Sequence, residues 1–255
     1  MTENYVSFIT NEHLINCIEE LYDKYEGAKT AYNQVKFNKN KVDIFKMLFD
    51  KKFNSLTDEE LIEKEISRQI DKTITNAIGI FHENILAGIV DFEKLETGID
   101  IKSADNKIFI ELKNKHNTVK GEDKKGIFTK LQSEIKTRPN AKAYFARILD
   151  TASNNKIWSF SNKGTPYENE RVLIISGDQL YHLLTGRENA LYQLYKALPD
   201  AIDDFLASKS KDETNTMIQS TALREIKDAA NEANRTIFDQ ITFTNYSYYL
   251  GFDDL

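Results

Sequence analysis

Residues Gly98 to Lys113, GIDIKSADNKIFIELK, constrain this chain more than any other stretch. Ile108, Ile110 and Leu112 alternate with Phe109, Glu111 and Lys113, the period-two pattern of a strand with two different faces. Glu111 and Lys113 therefore project to the same side. Ile99 and Ile101 alternate with Asp100 in the same way, and Ala104-Asp105-Asn106-Lys107 supplies turn chemistry between the two runs. Paired as a hairpin, the strands bring Asp100, Glu111 and Lys113 toward one end of a sheet. Two acids and a lysine converging there suit a divalent-metal site that hydrolyses a phosphodiester.

The chain before this stretch reads as helical. Asn11 caps a predicted helix over 11–25 with Leu14, Ile18, Leu21, Tyr22 and Tyr25 on one stripe. A shorter helical pattern covers 42–53. Thr57-Asp58-Glu59-Glu60 has the form of a capping box. The long helix after it carries Ile62, Ile66, Ile70, Ile74, Ile78, Phe81 and Ile85 at three- and four-residue steps, with Gly79 as a point where it can kink. A first strand is expected around Ile89 to Phe92.

Beyond the hairpin, residues 123–137 form a predicted helix with Ile127, Phe128, Leu131 and Ile135 inward, stopped by Arg138-Pro139-Asn140. Ala141 to Leu149 reads as a strand, Lys156 to Phe160 as another, Ser161 to Glu170 as an exposed loop, and Arg171 to Ser176 as a buried strand. Helices are expected over 178–184 and from Glu188 onward, then a linker over 208–215, a further helix over 216–238 and an aromatic tail from Ile241 to Phe252. Strands flanked by helical material on both sides in sequence make an α/β domain with a mixed sheet and helical additions at both termini. The expected division is an N-terminal helical extension over 1–56 packed on the core, a core domain over 57–186 and a helical C-terminal region over 187–255, the three together forming one compact domain.

Composition narrows the partners. The net charge of −6 conceals an uneven distribution: Lys102 to Lys142 holds eleven Lys/Arg against five Asp/Glu. A polyanion such as DNA is drawn to a patch of this sign, although a solvated lysine-rich face has the same composition. No apolar run approaches the ~20 residues that span a bilayer, and the N-terminus lacks the features of a signal peptide. Cys17 is the single cysteine, which excludes an internal disulfide or a cysteine zinc cage and suits a reducing cytoplasm.

Phosphodiester hydrolysis needs an activated water, neutralisation of developing charge and help for the leaving oxygen. Magnesium takes oxygen ligands and keeps several waters, so one or two carboxylates suffice. Asp100 and Glu111 supply such a pair, with Lys113 beside them. Glu-x-Lys alone is a weak signal: it recurs at Glu122, Glu134 and Glu225, in polar loop or helix patterns. Glu111 alone among them sits on an alternating apolar strand with an acid-bearing strand just before it. The same residues also fit a solvent-facing strand edge with a surface Glu–Lys pair. With four histidines in all, and no second one near His82, zinc is not expected.

Asp100, ten intervening residues and then Glu111-Leu112-Lys113 resemble the signature of the PD-(D/E)xK nuclease superfamily, with Ile99 where the superfamily name has proline. Phe81-His82-Glu83, Gly98 to Lys102, Glu111 to Thr118, Ile175 to Asp178 and the aromatic C-terminus resemble one branch of it, the type II restriction endonucleases that cut GGNCC or GGWCC sites. The likeness runs from about Glu60 to the end. It implies a restriction-endonuclease-like core, magnesium dependence, a homodimer and a short palindromic double-stranded DNA target. It makes Asp100 and Glu111 metal ligands and Lys113 the catalytic lysine. Glu83 would be a further metal-assisting acid, although the helical wheel turns it away from the apolar stripe and a solvated helix glutamate fits equally. It also makes Lys115, His116 and Asn117 DNA contacts, with Lys120, Lys124, Lys125 and Lys130 positioning phosphates. Trp158 and the tyrosine-rich tail read as core or dimer interface. Two other functions stay open on the same fold: a repair or recombination nuclease, and a catalytically silent DNA-binding protein.

Overall fold

The computed structural model describes residues 4–30, 44–56, 58–209, 228–235, 239, 243 and 247–254. The chain divides into two compact units, Met1–Ile15 with Glu83–Leu255, and Asn16–His82. Helix α1 (Asn11–Thr30) and helix α3 (Asp58–Ala87) each cross from one unit to the other, and α2 (Ile44–Phe53) belongs to the smaller unit. Helix α3 runs through Gly79 without a break. Thr57, the proposed cap, lies outside the described residues. Within the smaller unit Glu65 is buried and clasped on both oxygens by Arg68, with Gln69 as a third donor at 2.9 Å.

The larger unit is built on a six-stranded mixed sheet. Its strands are β1 (Phe92–Lys94), β2 (Ile101–Ser103), β3 (Ile108–Lys115), β4 (Lys142–Leu149), β8 (Val172–Ser176) and β5 (Asn155–Ile157), in that spatial order. The central strands β3, β4 and β8 are parallel; β1 with β2, β2 with β3, and β5 with β8 are antiparallel. The crossover from β3 to β4 is the helix α4 (Gly121–Ile135), the usual link between parallel strands, whereas the connection from β4 to β8 contains strands and no helix. Helices α5 (Gly177–Thr185) and α6 (Ala190–Ala207) follow β8.

Register arranges the core in rows. Phe109, Ala143 and Val172 are neighbours across β3, β4 and β8; the next row is Glu111, Phe145 and Ile174; the next is Lys113, Arg147 and Ser176. The apolar members of this face pack with Phe128, Leu131 and Ile135 of α4 and with Trp158 in one buried cluster. Trp158 stacks on Phe145 with ring centroids 4.5 Å apart. Burying side chains of this size contributes roughly 1.5–3 kcal/mol each, which anchors α4 over the row that holds Glu111. Arg171 ties down the C-terminal end of α4, donating from Nη1 to the carbonyls of Ile135 (3.1 Å) and Arg138 (2.7 Å).

Three expectations need correction. The first strand is not centred on Ile89 to Phe92: β1 starts at Phe92, and Ile89 to Asp91 form the turn before it. Lys156 to Phe160 is not one strand: β5 ends at Ile157, Trp158 turns into the core, and β6 (Phe160–Asn162) starts a separate ribbon. Ser161 to Glu170 is not a plain loop, because β6 pairs antiparallel with β7 (Thr165–Tyr167). The connecting residues Lys163 and Gly164 both have positive φ, 50° and 81°, the geometry of a tight two-residue hairpin turn. A lysine in that conformation hid the turn. Pro166 is tolerated because the ribbon has only two strands.

The aromatic tail is anchored at its described end. Tyr249 and Phe252 are buried. The Tyr249 hydroxyl accepts the Asp150 backbone N–H and donates to the Ile148 carbonyl at 3.2 Å, and Tyr248 donates to the Asp150 carbonyl. The expected helix over 216–238 lies outside the described residues except at 228–235, and the expected linker does so beyond position 209. Among the described residues no helix is long and apolar enough to cross a membrane.

Candidate active site

The hairpin places the predicted acids as its pattern demands, with one change of detail. Strand β2 begins at Ile101, so Asp100 stands just outside the ladder, where Ile101 pairs with Ile110. Its backbone is held from both sides: its N–H donates to the Ile110 carbonyl (3.0 Å) and its carbonyl accepts from Leu95 N–H (2.9 Å). Its carboxylate Oδ2 accepts the Leu112 N–H at 2.6 Å. The Asp100 side chain therefore takes the place of a strand partner at Leu112, which keeps a β3 donor satisfied and points the carboxylate at β3. Gly98, at φ 86°, supplies the backbone bend that leads into Ile99.

The turn between the strands is pinned by one hydroxyl. Buried Ser103 donates to Asp105 Oδ1 (2.7 Å) and accepts from the N–H groups of Lys107 (3.1 Å) and Ile108 (2.9 Å). This hydroxyl, with Lys107, holds the Asp105 carboxyl down at about 2.

Glu111 is 5% exposed and both of its oxygens are engaged. Lys113 Nζ meets Oε1 at 2.8 Å, and Lys130 Nζ, reaching over from α4, meets Oε2 at 2.5 Å. Lys113 also donates to the Leu112 carbonyl at 3.0 Å. Burial raises the Asp100 carboxyl above its ordinary range; the Leu112 N–H opposes this, the Glu111 carboxylate adds to it, Lys113 opposes it and Glu83 adds to it. Glu111, Lys113 and Glu83 therefore all act electrostatically on Asp100. Glu83, in the last turns of α3, is itself paired with Lys94 at 2.9 Å, and Lys94 donates to Asn84 Oδ1 at 2.8 Å.

Two groups here escaped the reading of the sequence in these roles. In sequence Lys130 reads as one of the phosphate-positioning lysines, whereas the structure sets it on Glu111. Arg147 carries no motif; it neighbours Lys113 across the β3–β4 ladder, its guanidinium bonds Asp150 at 2.5 Å, and its buried Nε has no partner among the described residues. Its one visible signal was a lone charge in the otherwise apolar run AYFARIL. Of the predicted DNA contacts, Lys115 is the last residue of β3, and with His116, Asn117, Lys120 and Lys125 it is exposed; Lys124 is half-buried. His116 is fixed by its N–H to the Leu149 carbonyl (3.0 Å). These residues and the N-terminal turns of α4 follow directly from the strand that carries Glu111 and Lys113.

The donor set can be tested against a divalent cation. Among the described residues no group of three or more His, Cys, Asp or Glu side chains is arranged to hold a metal ion. Two neighbouring carboxylates, one of them pushed toward its neutral form by burial and by other acids, offer oxygen ligands whose repulsion a cation would relieve. The residues fit a hard cation that keeps most of its waters.

The sheet with parallel centre and antiparallel margins, flanked by helices and carrying acids and a lysine together on adjoining strands, is a restriction-endonuclease-like fold. The family model described as Eco47II restriction endonuclease matches residues 6–207. The type II restriction enzyme Sau96I of Staphylococcus aureus is 38% identical over 99% of this chain and 100% of its own length. The type II restriction enzyme Eco47II of Escherichia coli is 33% identical over 80% of this chain and 89% of its own length. The chain belongs to the Eco47II restriction endonuclease family and is a type II restriction endonuclease, a site-specific deoxyribonuclease whose substrate is DNA.

Proposed function

We propose that this chain hydrolyses both strands of a short palindromic DNA site of the GGNCC type, with magnesium held by Asp100 and Glu111 and assisted by Glu83. The observation that carries this reading is the meeting of Asp100, Glu111 and Lys113 at one end of the β2–β3 hairpin in a chain of this family. A bound divalent cation supplies a more acidic water and a polarised phosphate. The chain's own residues do the rest. The Leu112 N–H orients the Asp100 carboxylate, and Glu111 holds Lys113 close to it. The Lys113 ammonium, tethered also by the Leu112 carbonyl, is placed to orient the attacking water or to stabilise charge developing on the phosphate. Lys115, His116 and Asn117 contact the DNA beside the cut, and Lys120, Lys124 and Lys125 hold phosphates and set register. The enzyme works as a homodimer, because a two-fold DNA site is matched by a two-fold protein.

The test is digestion of plasmid DNA with magnesium, with and without EDTA, followed by sequencing of the ends. Discrete fragments with ends in a GGNCC-like palindrome, lost with EDTA, are expected. Structure-dependent cuts or random nicks would point to a repair nuclease. Absence of cutting under every metal and salt condition, with DNA still bound, would point to a silent DNA-binding protein.

A further inference from the structure

We propose that Lys130 serves two states of the site: it holds Glu111 while no divalent cation is bound, and it yields Oε2 when one binds, its ammonium then turning to the substrate phosphate. The inference rests on the reading of Asp100 and Glu111 as the cation-holding carboxylates.

Glu111 is nearly closed to solvent, and each of its oxygens already has an ammonium group, Lys113 at 2.8 Å and Lys130 at 2.5 Å. A divalent cation at this carboxylate would stand beside two like charges, so one of them must withdraw. The two lysines are not equally tethered. Lys113 lies two residues away on the same strand and has a second acceptor, the Leu112 carbonyl at 3.0 Å. Lys130 reaches Glu111 from the facing helix, its side chain is 35% exposed, and its ammonium has no second acceptor among the described residues. The acid one turn further along α4, Glu134, belongs to Arg138 at 3.9 Å. Buried Leu131 holds the adjacent backbone of α4 in the core cluster, so the flexible stem of Lys130 is what can move. A lysine released there keeps its charge beside the reacting centre, and Arg147 of the neighbouring strand lies in the row next to Glu111. The arrangement holds a buried carboxylate without leaving it uncompensated before the cation arrives.

Lys130→Met keeps the stem and removes the charge. Calorimetry of the full chain without DNA, with calcium alone as the probe, should show binding tightened roughly tenfold in Lys130→Met, because a competitor for Glu111 is gone. Single-turnover cleavage at saturating magnesium should fall roughly a hundredfold, because a phosphate contact is gone. Lys130→Arg should return calcium affinity to the wild-type value and recover part of the rate. A purely structural lysine would weaken both quantities together, so calcium affinity that is unchanged or weaker in Lys130→Met overturns the proposal. Glu111→Gln separates the two layers of the argument. If it leaves wild-type calcium affinity intact, the carboxylate reading itself fails and takes this inference with it. If it abolishes binding while Lys130→Met fails to tighten it, the role of Lys130 alone is wrong.

Discussion

At the residue scale, the proposed chemistry rests on single side chains that the fold holds in place. Lys113 is held by both a carboxylate and a carbonyl, so its ammonium is already placed before substrate arrives. Lys113→Ala should lower the cleavage rate by roughly a hundredfold or more while DNA binding, followed by gel shift in calcium, stays measurable. A wild-type rate would remove the lysine from the mechanism. Ser103 works one step away by satisfying two backbone N–H groups of the hairpin turn. Ser103→Ala should cost about 1–3 kcal/mol in urea unfolding, since it leaves the Ile108 N–H without its partner, while the Lys107 N–H keeps Asp105 Oδ1. The same substitution should raise the Asp105 carboxyl from about 2 toward its ordinary 3.8, read by NMR titration. Because the folded-state value lies below the unfolded one, the stabilisation through Asp105 is present above about pH 4 and fades as pH falls toward 2. No movement of that carboxyl in the variant would show that the hydroxyl does not control it.

At the scale of elements, β2 and the end of β4 are held by contacts from outside their own strands. Strand β2 is three residues long and relies on the Asp100 side chain to finish its pairing with β3. The end of β4 relies on the C-terminal tail. Tyr249 accepts the buried Asp150 N–H, donates to the Ile148 carbonyl and lies close to Phe252 in an edge-on ring contact. Asp150 in turn binds Arg147 and accepts from Asn154 at 2.9 Å. Tyr249→Phe keeps the ring and deletes the hydroxyl, so the expected loss is about 1–3 kcal/mol of unfolding free energy. An unchanged midpoint in thermal and urea unfolding would mean that water replaces the hydroxyl there. The β6–β7 ribbon shows how local chemistry misleads. Its turn uses lysine in a conformation that usually selects glycine or asparagine, and a proline sits in its second strand, so composition alone reads as loop.

Across the whole molecule, charge is divided between a positive segment and an acidic remainder. The segment from Lys102 to Lys142 carries the excess of lysine and arginine, and it includes β3, the exposed residues after it and α4. An acidic protein that binds DNA needs such a division, because phosphate contact dominates affinity and releases counterions. Replacing Lys120 and Lys125 together with alanine should reduce the slope of log affinity against log salt by about 2, measured by fluorescence anisotropy on duplex DNA. A slope equal to the wild type would move the DNA to another face.

The amino-acid sequence by itself determined the local grammar. Alternation at Ile108 to Lys113 makes a two-faced strand, three- and four-residue steps make α3 and α4, and Asp100, Glu111 and Lys113 fall within one hairpin, so short-range pairing suffices to bring them together. The tertiary structure alone decided who neutralises whom. Lys130 lies nineteen residues beyond Glu111 and meets it only because α4 packs across the sheet. Arg147 joins the row of Lys113 only because β3 and β4 pair in parallel in one register. The physical reason is that strand and helix periodicity is written in neighbouring side chains, whereas a crossover's register depends on core packing between segments far apart in the chain.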